Sequence, residues 1–217
     1  MKEETIHIAG RICHIVSDDR EAQCVIVKPL GEFERLLLVN ECERIKQLTD
    51  VPFTMFAFEV TEQDLREEGV EQTFDYMISE VIPEVKRHFP TLPYILGGYS
   101  LGGLFALWSA TKTATFHAIA SCSPSLWVDG WNEYAESHPV MAKAVYLSLG
   151  NKEANTKKGK FACVAERVST QHQRHTDLLG AACCKLVINE GGHFTDIELR
   201  KAKGFAWCLE TTAQNGR

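Results

Sequence analysis

Gly98-Tyr99-Ser100-Leu101-Gly102 sets a serine between two glycines where the pattern of the chain changes. The residues before it, Pro93-Tyr94-Ile95-Leu96, are a short apolar run bounded by proline and glycine, as in a buried strand. The residues after it, Leu104-Phe105-Ala106-Leu107-Trp108, read as a largely apolar helix. A strand that turns at once into a helix, with glycine two residues either side of a serine, has the form of a nucleophile elbow. Such a turn is expected to leave no room for a Cβ at either glycine and to strain the serine backbone. It also sets the hydroxyl at a helix N-terminus, where amide groups stabilise negative charge. Chance alone supplies this five-residue pattern roughly once in twenty chains of this length. The motif therefore depends on what the rest of the chain offers it.

Working outward, strand-like and helix-like segments alternate, which predicts a mostly parallel central sheet with helices on both faces. Strand regions are expected over residues 5–15, 24–27, 53–60, 118–121, 143–149 and 185–188. Phe74, Met77, Ile78, Val81, Ile82, Val85 and Phe89 recur at helical spacing, so residues 71–88 read as one amphipathic helix, with a local kink or a broken hydrogen bond at Pro83. Further helices are expected over residues 34–48 and 159–179. A last helix is expected to start at a capping box made by Thr195 and Glu198.

The chain has 217 residues, 45% of them hydrophobic, enough for a sizeable core. No linker or repeat divides it, so residues 1–217 are read as one α/β domain. A formal charge of −6 argues against a nucleic-acid surface, and the densest basic run, Lys157-Lys158-Gly159-Lys160, reads as a solvated helix start. The acidic N-terminus carries no secretory pattern, and no apolar run is long enough for a bilayer, so a cytoplasmic protein without a membrane role is expected. The eight cysteines lack paired metal-ligand spacing, and most lie in apolar runs, so they are read as reduced, buried thiols.

A serine hydroxyl needs a base within hydrogen-bond reach. On this architecture the base belongs on a loop after the last strand, where Glu190-Gly191-Gly192-His193-Phe194 follows Lys185-Leu186-Val187-Ile188. His193 is the candidate, and its two glycines let the loop bend back over the sheet edge. An acid should orient the imidazole from a loop after an earlier strand. Glu153, the first carboxylate beyond Tyr146-Leu147-Ser148-Leu149-Gly150, is preferred, with Asp129 as the rival. The Leu101 amide is the first oxyanion donor by construction of the elbow. The second is sought on Lys28-Pro29-Leu30-Gly31-Glu32, read as a loop. Pro29 has no N–H, so Leu30 is the candidate. Trp127 and Trp131, with Tyr99, are candidate walls of a substrate pocket.

The block from Tyr94 to Trp108 resembles the α/β-hydrolase superfamily, and within it the esterase D-like and siderophore-esterase-like esterases. Ser123-Pro124-Ser125-Leu126-Trp127, Leu147-Ser148-Leu149-Gly150-Asn151-Lys152-Glu153 and Gly191-Gly192-His193-Phe194 look like that group's later blocks. The resemblance spans roughly residues 75–209 and fades over the first seventy. It implies an α/β-hydrolase fold with Ser100 as nucleophile, His193 as base and Glu153 as acid, since such esterases often carry the acid three residues after the strand-ending glycine. Two features depart from the group: the glycine-rich early loop is absent, and Asn151 stands where an aspartate is common. The expected reaction is hydrolysis of a small-molecule acyl ester through an acyl-enzyme, a mechanism that calls for no metal or organic cofactor. Thioester cleavage or acyl transfer at the same site, or a non-catalytic binding protein of this fold, are the alternatives. The loop from Trp127 to Trp131 is too short for a separate lid domain.

Overall fold

The computed structural model describes residues 1–157 and 159–215; Lys158, within the basic run above, lies outside them. The strands are β1 (Lys2–Ile8), β2 (Arg11–Ser17), β3 (Cys24–Gly31), β4 (Phe53–Val60), β5 (Tyr94–Tyr99), β6 (Phe116–Cys122), β7 (Ala144–Gly150) and β8 (Cys184–Asn189). They form one sheet in the order β1-β2-β4-β3-β5-β6-β7-β8. β2 runs antiparallel to β1 and β4, and every other pairing is parallel. The region 5–15 is thus a hairpin rather than one strand. The chain reverses at Ala9 and Gly10, both at positive φ (46° and 84°). Glycine adopts that conformation freely, and it is the one local signal of the reversal.

The helices are α1 (Leu38–Leu48), α2 (Glu67–Tyr76), α3 (Ile82–His88), α4 (Leu101–Lys112), α5 (Trp131–Ser137), α6 (Asn151–Ala154), α7 (Val164–Leu179) and α8 (Ile197–Asn215). Successive strand residues serve opposite faces. Val25, Val27 and Leu96 pack with α3, α4 and α7 in one buried cluster. Cys24, Ile26 and Ile95 pack with α1 and α8 in the other. Burial on both faces explains the near-continuous apolar strands. The helix expected over residues 71–88 is α2 and α3 joined by a π turn over Met77–Val81, so the regular hydrogen bonding is interrupted just before Pro83, which lies in the first turn of α3. The wider turn absorbs the hydrogen bond that proline cannot donate. Among the described residues, no helix is long and apolar enough to cross a membrane.

The expected loop Lys28–Glu32 is largely strand, because β3 continues through Gly31. Lys28 can sit wholly buried there because its Nζ lies 3.0 Å from Glu41 Oε2 and 3.3 Å from Glu34 Oε1. Lys201 of α8 closes the cluster, pairing with Glu34 and lying 2.7 Å from Glu41 Oε2. Two cations and two carboxylates thereby tie β3, α1 and α8 together beneath the site. Glu34 also accepts the Gly31 amide at 3.2 Å, which fixes the end of β3.

Burial alone would raise the Glu34 carboxyl, but the charges of Lys28 and Lys201, with the hydrogen bonds from Lys201 and Gly31, bring it down to about 2. A carboxylate held below its unfolded value near 4.5 stabilises the fold above that pH, and the contribution is lost as the pH falls towards about 2. Glu34→Gln is expected to cost roughly 2 kcal/mol at neutral pH. Measured by urea unfolding, its deficit against wild type should shrink steadily as the pH is lowered through that window. A deficit that stays constant would contradict this account.

Candidate active site

Ser100 occupies the single residue between β5 and α4, at φ 56° and ψ −115°, a conformation that costs energy for any residue with a Cβ. Three backbone bonds hold it there. Its amide donates to the Cys122 carbonyl at 3.0 Å, and its carbonyl accepts the amides of Leu104 and Ser125, each at 3.1 Å. The two glycines of the elbow are unequal. A Cβ on Gly98 would meet backbone atoms of Gly102 at 2.7 Å, whereas one on Gly102 would find only Pro29 Cγ at 3.5 Å. The second tight position is Gly103, whose Cβ would lie 3.1 Å from the Cys122 carbonyl.

The parallel strands deliver the other groups to the same sheet edge. After β8 the chain turns through Gly191 (φ 97°), where a side chain would strike Thr195, and presents His193. Its Nε2 lies 3.0 Å from Ser100 Oγ and its Nδ1 lies 2.6 Å from Glu153 Oε2. Glu153 reaches there from α6, just past β7. Burial raises its carboxyl, but the hydrogen bond and charge of His193 and the hydrogen bonds from the Gly150 amide and Ser123 hydroxyl outweigh this and hold it below the ordinary value. Of the two candidate carboxylates, Glu153 is thus the one bonded to the imidazole; Asp129 lines an aromatic-walled cavity.

The remaining expected residues are placed as follows. Leu101 opens α4, so its amide has no carbonyl one turn back to bond within the helix. Leu30 lies inside β3, its side chain buried against α1; it is Pro29 and Gly31 of that strand that line the cavity beside Ser100. Trp127 borders three cavities, of about 590, 570 and 510 Å³, and two of these include Ser100. Trp131 and Asp129 line the first, with Phe105, Trp108 and Tyr134. Tyr99 lines the third, and its hydroxyl donates to the His193 carbonyl at 2.6 Å. Lys160 is exposed, as expected, and lies over the Trp127 ring at 3.8 Å from its centre.

Several groups at the site were not foreseen. Ser125 Oγ lies 3.1 Å from Ser100 Oγ. Asn151, at the position where an acid is common, accepts the Gly191 amide at 2.9 Å and so ties the Glu153 loop to the His193 loop. Arg200 donates to Glu153 Oε1 at 2.9 Å. The last helix does not start at the expected capping residue, since α8 opens at Ile197. Thr195 Oγ1 accepts the Gly192 amide instead. Arg200-Lys201 near the start of that helix was the available signal, since the helix dipole disfavours cations there unless carboxylates pair with them. The thiols stay apart from this chemistry. Burial pushes Cys24 and Cys122 up to about 12.

A family model described as "Putative esterase" matches residues 47–193, beginning earlier than the resemblance read from the sequence and ending on His193. Comparison with curated proteins gives no match. Among solved structures, an IroE-like serine hydrolase from Shewanella oneidensis superposes with a TM-score of 0.75 at 14% identity, covering 96% of this chain and 80% of that one. The siderophore hydrolase EstA from Aspergillus nidulans gives 0.68 at 18% identity, covering 96% and 94%. Est1E from Butyrivibrio proteoclasticus gives 0.67 at 14%, covering 97% and 99%. At these identities the likeness carries the fold, an α/β hydrolase.

The unequal glycines give a direct test of the elbow. Gly98→Ala is expected to destabilise the protein by on the order of 3 kcal/mol, because backbone cannot rotate away from the added methyl. Gly102→Ala, in a helix with space at Cβ, is expected to be neutral or to stabilise by up to about 1 kcal/mol. Thermal unfolding of the two variants checks the contrast; equal losses would refute it.

Proposed function

This chain belongs to the Putative esterase family, and we propose that it hydrolyses small-molecule carboxyl esters through an acyl-enzyme formed on Ser100. One observation carries the reading: Ser100 Oγ, the His193 ring and the Glu153 carboxylate form an unbroken hydrogen-bonded chain, with links of 3.0 and 2.6 Å. Serine at its ordinary acidity is a weak nucleophile, and the chain supplies what it lacks. His193 Nε2 takes the proton as Oγ attacks the ester carbonyl. Glu153 accepts a hydrogen bond from Nδ1, which fixes the tautomer and stabilises the imidazolium. His193 then gives the proton to the leaving alkoxide. Water, deprotonated by the same imidazole, attacks the acyl group, and Ser100 recovers its proton as the acid departs.

The tetrahedral intermediates carry their charge on the former carbonyl oxygen. The Leu101 amide, unpaired within its helix and next to Ser100, is the first donor. For the second, Leu30 remains our candidate by its amide alone, since its side chain belongs to the core. The neighbouring Gly31 amide is already committed to Glu34. Ser125 can donate to Ser100 Oγ, leaving the Ser100 proton aimed at Nε2.

Ser100 lies where two cavities meet, and a third opens beyond Leu101 and Trp127. The acyl and alcohol parts therefore occupy separate chambers, with Trp127 as the partition and Trp131 and Tyr99 as walls. The chain works as one domain in this reading.

Ser100→Ala is expected to fold normally and to lose on the order of 10⁶ in turnover. A fluorophosphonate should label wild type at Ser100 and leave this variant unlabelled. A folded Ser100→Ala protein near wild-type activity would sink the reading. Glu153→Gln should lower turnover roughly 10²- to 10⁴-fold, because an amide can favour the wrong tautomer and cannot stabilise the imidazolium. Asp129→Asn should mainly alter KM, as measured on a panel of short, long and aryl esters. A larger loss of turnover in Asp129→Asn would exchange their roles.

A further inference from the structure

Arg200 is the largest fully buried side chain, 1% exposed, and lines none of the cavities beside Ser100. A cation so placed is costly unless it is paired, and here the two terminal nitrogens carry the pairing while Nε finds no hydrogen-bond partner among the described residues. One terminal nitrogen donates to Glu153 Oε1 at 2.9 Å and to the Tyr99 hydroxyl at 3.1 Å, and approaches Ser123 Oγ at 3.4 Å. The other donates to the Glu190 carbonyl at 2.9 Å. The guanidinium therefore touches the loop that carries Glu153, the loop that carries His193 and, through Tyr99, the His193 carbonyl. The junction is tight: a Cβ on Gly150 would strike the Gly191 carbonyl first, and would also come within 2.8 Å of Glu153 Oε1 and 2.9 Å of the guanidinium.

We propose that Arg200 is a positioning residue, which clamps the acid loop and the base loop into one unit and leaves Glu153 Oε2 as the oxygen aimed at His193. This rests on the ester-hydrolase reading above. The division of the carboxylate is the core of the argument. Oε1 accepts Arg200, the Gly150 amide at 2.9 Å and the Ser123 hydroxyl at 3.0 Å, whereas Oε2 faces Nδ1. Glutamate has one more rotatable bond than aspartate, so its carboxylate needs fastening to keep one oxygen on the imidazole. Arginine suits the task because its planar fork spans two acceptors on different loops. A lysine ammonium in the same place is a point charge on a flexible stem. Arg200 acts only through Glu153 and the His193 loop, since Ser100 is beyond its contacts.

The test uses Arg200→Met and Arg200→Lys in the full chain, each also combined with Glu153→Gln. Arg200→Met is expected to lower kcat roughly 100-fold with KM changed less than about twofold, and to slow fluorophosphonate labelling of Ser100 in proportion. Arg200→Lys should recover about tenfold of that loss. Because part of its effect runs through Glu153, Arg200→Met should cost clearly less on top of Glu153→Gln than it does alone. Multiplying defects, or a folded Arg200→Met enzyme with kcat within twofold of wild type, would overturn the proposal. If Arg200→Met fails to fold, Tyr99→Phe removes one arm of the clamp. A three- to tenfold fall in its kcat supports the proposal, and no fall counts against it. The downfield proton resonance of the Nδ1–Oε2 hydrogen bond gives a readout that needs no substrate. It should be present in wild type, weakened in Tyr99→Phe and lost in Arg200→Met; an unchanged resonance in both overturns the clamp. Wild type that neither cleaves esters nor takes a fluorophosphonate would instead defeat the esterase reading, and the resonance would still test Arg200.

Discussion

Everything at the sheet edge follows from the absence of space between β5 and α4. The chain passes from strand to helix through one residue, and Ser100 takes an unfavourable backbone geometry because no room exists for a gentler turn. Gly98 and Gly103 bring the strand, the helix and Cys122 so close that a methyl group on Gly98 would strike Gly102 and one on Gly103 would crowd Cys122. The strain is held by neighbours: β6 accepts the Ser100 amide, and the loop after β6 donates to its carbonyl. A hydroxyl fixed in this way does not search for its base. Parallel pairing from β3 to β8 then fixes which loops can reach it.

The helix that closes the fold braces the site from behind. Two adjacent cations near the start of α8 face different ways, Arg200 towards Glu153 and Lys201 towards Glu34 and Glu41. Neither position is favoured by the helix dipole, so each cation depends on its carboxylates. Glu34 in turn holds the Gly31 amide, at the end of the strand that flanks the Ser100 cavity. The wall beside the serine and the acid behind the histidine are therefore anchored to one turn of one helix.

Much of the fold was legible because β4 to β8 are short, apolar and separated by helical spacing, and burial on both faces enforces that pattern. Ser100, Glu153 and His193 could be nominated because each directly follows a strand in a parallel sheet, and the structure brings the three within hydrogen-bond distance. The misreadings share a cause. Lys28 looked like the end of an apolar strand, and only its partners Glu41 on α1 and Glu34 just before that helix make it a core residue, so β3 ran further than expected and took Leu30 with it. Thr195 and Glu198 had the spacing of a cap, but the tight turn at Gly191 engages Thr195 first. Ser123 and Ser125 carry no local signal of their bonds, and Arg200 only its unfavoured place near a helix start, since their partners lie on other elements.

The ionic cluster of Lys28, Glu34, Glu41 and Lys201 also constrains how this chain can change. Removing Lys28, Glu41 or Lys201, the fully buried members, costs about 3–5 kcal/mol because a partner is left uncompensated. That is a large part of the roughly 5–15 kcal/mol that holds a typical domain folded. Replacing the charges together with well-packed apolar residues is often neutral or stabilising. The apolar alternative is therefore separated from the present sequence by single-substitution intermediates that have lost much of their stability. Under stepwise mutation the four residues behave as one inherited unit, kept in place by the route to any replacement rather than by their own net stability.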